Sequence, residues 1–291
     1  MQDSGLQSVD SAARSPAMAP SASPSVSVYL GQGYVVRATA ERFSISRGLP
    51  LAVPSFDAIT QPDVLRQVFA GAFQAASRYL DSTAHHAETT APPTLMSYVY
   101  GLLGAYQTAR VTPPIMMALS ARYAACGRLA VVERCLTIAS EESGHDTLAL
   151  RDLVALGYPA AALVMAIRPK RALAMIDLLF RYAAAKDPIA SFGYAYALER
   201  SAAVISEVQL RHLDSIIPAG ITADRCVRVH GAAGGAAGHL RDSLDFMVTL
   251  KAHEQAGIAQ GVFETLCVMH DPDLEDYPGD DALAAWIARI P

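Results

Sequence analysis

Basic blocks are missing from this sequence of 291 residues. Lysine and arginine (23) are fewer than aspartate and glutamate (28), giving a net charge of −5 and a pI near 5.9. That balance excludes the electrostatic footprint of a nucleic-acid-binding protein. Cysteine is scarce: Cys126, Cys135, Cys226 and Cys267 are scattered, with no CxxC pair. A disulfide framework is therefore not expected, and the four read as reduced core residues of a cytoplasmic protein. No apolar run reaches the roughly 20 residues that span a bilayer. The best candidate, "YPAAALVMAIRPKRALAMIDLLF", is broken by Arg168, Pro169, Lys170 and Arg171, so no membrane association is expected. The N-terminus lacks the basic start and apolar core of a secretory signal.

Aromatic residues make up only 7% of the chain, while 52% is hydrophobic and alanine dominates that fraction. Alanine loses least on entering a helix, so the composition favours helices. Residues 1–26 are rich in Ser, Ala and Pro without a periodic apolar pattern and read as a disordered tail. Residues 27–60 form an N-terminal extension, in which "VYLGQGYVVRA" and "RFSISRG" fit either short strands or an extended arm. Residues 61–291 read as one all-α domain of about seven helices. The first begins at Pro62 and aligns Leu65, Phe69, Phe73 and Ala76 on one face. "LAVVERCLTIASEESGHDTLALRDLVALGYP" reads as a single long helix ended by Gly157 and Pro159.

Three features can carry chemistry. Glu142 and His145 stand at i, i+3 within that long helix, a spacing that puts a carboxylate and an imidazole on one face. The polar stretch "EESGHD" interrupts an alanine- and leucine-rich run, so part of it must face the interior, where an unpaired charge is costly. Glu199 shares a face with Phe192, Ala195 and Tyr196; it needs a partner such as Arg200, or a metal. His230 and His239 flank "GAAGGAAG", and nine residues of straight helix turn through about 900°, which sends the two imidazoles to opposite sides. The intervening glycines allow a bulge that brings them together. A phosphate loop is excluded, because no Lys-Ser/Thr follows and no strand precedes.

The segments "TIASEESGHDTLALRDLVALGYP", "DPIASFGYAYALERSAA" and "RVHGAAGGAAGHLRDSL" together resemble the heme-oxygenase-like superfamily, and within it the heme-oxygenase-like diiron oxidases. The resemblance covers residues from about 95 to 270 and lies in the order and spacing of an E-x-x-H helix, a lone glutamate helix and a final histidine helix. It implies metal ligation by Glu142, His145, Glu199, His230 and His239. Two positions depart from the family pattern. Ala236 stands where an aspartate is usual, and the earlier helix that usually carries another carboxylate offers only Gln107. Asp242, one turn beyond His239, is the substitute expected for the first. Asp152 is expected to be an ordinary surface or helix-end residue rather than an orienting partner of His145.

The resemblance implies one or two Fe(II) ions, O2 as co-substrate and oxidation of a small amine or amino-acid-like molecule in specialised metabolism. The contrasting expectation is a metal-free or degenerate member, acting as a thiaminase-like enzyme through Cys226 or as a small-molecule binding protein. Heme degradation is disfavoured, because no histidine precedes His85. An alanine-rich bundle of this kind is also compatible with a homodimer.

Overall fold

The computed structural model describes residues 25–48, 57–83, 93–205, 207–230 and 236–290. The expected disordered tail lies outside these residues up to position 24, and its last residue, Val26, opens a strand. The ambiguous extension is a three-stranded antiparallel meander, β1 (Val26–Gly31), β2 (Tyr34–Ala38) and β3 (Phe43–Arg47), in the order β1-β2-β3. Alternation explains it: Val28, Leu30, Tyr34, Val36 and Ala38 are buried, while their neighbours stay accessible. The β1–β2 turn needs positive φ at Gly31, Gln32 and Gly33, and two of those three are glycine.

The rest of the described chain is helical, in more segments than the seven expected: α1 (Pro62–Thr83), α2 (Leu95–Ala109), α3 (Thr112–Ala125), α4 (Leu129–Glu141), α5 (His145–Ala155), α6 (Ala160–Ala166), α7 (Lys170–Ala184), α8 (Ala190–Ala203), α9 (Glu207–Ile216), α10 (Arg225–His230), α11 (Ala236–Met247), α12 (Ala252–Met269) and α13 (Asp280–Ile287). The excess comes from breaks within stretches that read as single helices in the sequence. The expected long helix divides at Gly144, which is left-handed at φ 87°. The glutamate helix ends at Ala203, and α9 follows it. The expected final ligand helix is likewise two, α10 and α11, with residues 231–235 outside those described. No single described helix is long and apolar enough to cross a membrane.

The sheet is not a separate arm. It lies on α1 and α12 and shares their core, where Val68, Phe69 and Ala72 meet Val262 and Phe263 beneath Val36 and Leu30. Burying each such Val or Phe contributes roughly 1.5–3 kcal/mol. Gly71 permits the approach: a Cβ there would lie 2.6 Å from Val36 Cγ1. Gln255 on α12 accepts from Ile59 N and donates to Ile59 O, both at 2.8 Å, which ties the segment before α1 into the bundle. A second apolar cluster joins α2, α5 and α6 through Leu103, Leu153 and Leu163, and Leu283 of α13 closes it.

Candidate metal centre

The break at Gly144 builds the site. Glu142 caps the C-terminus of α4, and His145 is the first residue of α5. The pair therefore meets across a turn, not along a helix as the spacing suggested, with His145 Nδ1 3.0 Å from Glu142 Oε2. The Ser143 hydroxyl donates to Ala139 O at 2.6 Å and holds the turn closed. The hydrogen bond with Glu142 holds the His145 imidazole above the ordinary histidine range. Burial opposes this, while the charges of Glu142, Glu199 and Asp146 add to it.

Glu199 faces the same place from α8. Its expected partner Arg200 turns away, with its guanidinium 5.2 Å from the Phe73 ring centre. Glu199 instead meets His239 of α11, with Oε1 3.2 Å from Nδ1. Burial raises the Glu199 carboxyl above the usual carboxylate range; His239 opposes this, and the nearby charges of Glu142 and Glu141 push it further up. His239 is held from behind: Ser243 Oγ donates to His239 O at 2.8 Å and accepts from Arg134 Nη2 of α4 at 2.7 Å.

Four of the six expected ligands thus come together: Glu142, His145, Glu199 and His239. His230 ends α10, and its side chain lies outside the described residues. Asp242 is exposed and does not replace the missing aspartate. Three residues of helix place it about 60° round from His239, whose own side chain is 38% exposed at the edge of the site. Gln107 is buried but points elsewhere, donating to Val164 O of α6 at 2.6 Å.

Asp152 is a further correction. It is fully buried, pairing with Arg225 Nη1 at 2.9 Å and accepting from Cys226 N at 2.9 Å. It therefore fastens α10 to α5 rather than lying on the surface. Sequence reasoning missed Glu141, whose Oε1 lies 3.8 Å from His239 Nε2 and 4.0 Å from Arg134 Nη1. The adjacent "EE" in "EESGH" was the available signal. Also missed was the group of Asp187, His253 and Glu254, whose ligand atoms lie within 4.8 Å of one another near the opposite end of α8. There Glu254 is engaged by Arg128 and caps α12.

Glu142, His145 and Glu199 line an internal cavity of about 190 Å³ together with Cys226, Ala195 and residues of α2. Phe192, Tyr194 and Tyr196 do not line it and are packed in the main core. Tyr194 is nonetheless close enough for the charge of Glu142 to add to burial in raising its pKa, and its hydroxyl has no hydrogen-bond partner among the described residues. Three carboxylates around two imidazoles form a donor set of the kind that divalent first-row metals take. Burial makes Glu199 hard to ionise and the charges of Glu142 and Glu141 add to this; a cation would relieve both, so the residues fit a metal ion.

No protein-family model matches the chain, and no curated protein does. A solved structure from Shewanella denitrificans, a domain of unknown function with a heme oxygenase-like fold, superposes with a TM-score of 0.53 at 17% identity. The match covers 76% of this chain and 91% of that one. The chain thus has a heme-oxygenase-like fold, here with a small three-stranded sheet on its helices.

Proposed function

We propose that this protein is an iron-dependent oxidase or oxygenase that acts on a small molecule. The observation that carries the reading is the convergence of Glu142, His145, Glu199 and His239 from α4, α5, α8 and α11 beside an internal cavity. These four side chains would hold Fe(II), with Glu141 near enough to neutralise or orient His239. Iron bound there would supply the reducing centre that O2 chemistry requires.

The chain's own groups have defined roles in that reading. Glu142 fixes the ring plane of His145 through Nδ1, and Glu199 does the same for His239. The Glu199–His239 pair can hold one proton across 3.2 Å, because burial makes the carboxylate a stronger base than an exposed one. Leu198, Ala195 and Ala202 make the cavity wall apolar, which keeps bulk water from the reacting atoms.

A specific observation also bears on the thiaminase-like alternative: Cys226 lines the same cavity. Burial, Asp152 and Glu142 push its thiol up to about 12, which keeps it protonated at neutral pH and disfavours a nucleophilic role. Anaerobic Fe(II) titration with metal analysis tests the proposal. One or two irons per chain are expected in the wild type and none in Glu142→Ala or His239→Ala. A wild-type protein that takes up no iron above background overturns it.

A further inference from the structure

A larger cleft of about 940 Å³ lies beside the metal-centre cavity. Four residues, Ala105 and Thr108 of α2 with Leu198 and Ala202 of α8, line both spaces and mark the place where a neck would join them. Beyond these residues the cleft runs between α2 and α7 toward the segment from Met269 to Asp280. We propose that this cleft is the substrate site and that it takes a molecule with a large, uncharged apolar body whose reacting end passes the neck to the metal centre. The inference rests on the iron reading for the chemistry, but not for the binding.

Size and chemistry of the lining support this class. A space of this volume is at the upper end of what drug-sized ligands fill, far larger than a free amino acid needs. The walls are Gly101, Gly104, Ala105, Ala172 and Met175, which offer no charge. The carboxylates at the outer end are already engaged with protein. Asp276 accepts from Tyr100 Oη at 2.7 Å and from Lys170 N at 2.9 Å. Asp280 accepts from Thr94 Oγ1 at 2.8 Å and from the Tyr277 hydroxyl. Glu275 pairs with Arg171 at 3.1 Å. Thr108 turns its hydroxyl back to Gly104 O and Ala105 O. An ammonium group would have to break these carboxylate pairs, whereas an apolar body leaves them intact. Among the described residues, Ser201 Oγ and Arg171 Nε are buried atoms of this lining without a partner, and each can meet one polar group of a bound molecule.

Gly101 gives a clean test, since a Cβ there would meet no atom within 4 Å and a larger side chain would project into the cleft. Isothermal titration of the full chain with 1-hexanol, 1-octanol and 1-decanol is expected to show affinity rising about fourfold per methylene. Gly101→Phe is expected to weaken octanol binding by about tenfold or more, from lost burial of several methylenes, while iron uptake is unchanged. Glu199→Gln should lose iron and keep octanol. If Gly101→Phe fails to fold by circular dichroism, Ala202→Leu at the neck serves instead. Affinity independent of chain length, or untouched by the plugging variant, overturns the proposal. Octanol binding in a wild-type protein that takes up no iron would retain the apolar site and overturn the iron reading alone.

Discussion

The two halves of α8 have the same length of helix to spend on opposite tasks. Its N-terminal half is packed without room for a side chain: a Cβ on Gly193 would lie 2.3 Å from Ile258 O, and one on Gly261 of α12 would lie 2.5 Å from Ala190 O. Its C-terminal half carries Leu198, Glu199 and Ala202 along an internal cavity, with a carboxylate that burial makes reluctant to ionise. Backbone-to-backbone contact at one end fixes the helix rigidly. That rigidity lets the other end hold charge and empty space without collapsing onto them.

The largest effect is expected where that contact is removed. Gly193→Ala forces a methyl group against backbone atoms that no rotamer change can relieve, and should cost about 3 kcal/mol or more in urea denaturation. A cost below about 1 kcal/mol would mean that the two helices slide easily, and the contrast between the halves would fail. Asp152→Ala comes next. It leaves Cys226 N–H without its buried acceptor and frees Arg225, so a loss of about 2–3 kcal/mol is expected. Hydrogen exchange should show the change concentrated in α10, which walls the cavity, with the Gly193 contact unaffected.

Glu199→Gln probes the open half directly. It removes a buried charge crowded by Glu142 and Glu141, so the metal-free protein should keep its stability or gain up to about 1 kcal/mol while iron binding is lost. A large destabilisation would instead make Glu199 a structural residue. The smallest effect belongs to His270, at the end of α12. Burial, and secondarily Arg171, lower its pKa in the folded state. The unfolded chain then binds the proton more readily, so stability should fall as pH drops below about 6.5, the usual histidine value, down to the lowered folded pKa. His270→Gln should flatten that part of the stability–pH curve.

Much of the frame was legible because it depends on local pattern. The start of α1 at Pro62 follows from a proline in a first turn, and its apolar face from the periodic placing of Leu65, Phe69 and Ala76. The Glu142–His145 pair was also readable, although for a different geometric reason. Spacing alone cannot separate a helix that continues from one that restarts, and the left-handed φ of Gly144 marks a restart between α4 and α5. Glu141 stayed hidden because its relation to His239 joins α4 to α11. Asp152 looked like a surface residue because nothing nearby in sequence announces Arg225 and the Cys226 amide as its partners.

Taken by itself, the chain's order of residues determined a helical protein with a carboxylate–imidazole pair and four further candidate ligands later in the chain. Helix propensity, apolar periodicity and i, i+3 spacing are local quantities and need no fold to be evaluated. Tertiary structure alone decided that Glu199 meets His239 rather than Arg200, that Asp242 is left in solvent, and that a wide cleft shares four lining residues with the cavity at that centre. Those outcomes depend on how far helices turn and how closely they approach, and glycines 193 and 261 set that approach only once both helices are in place.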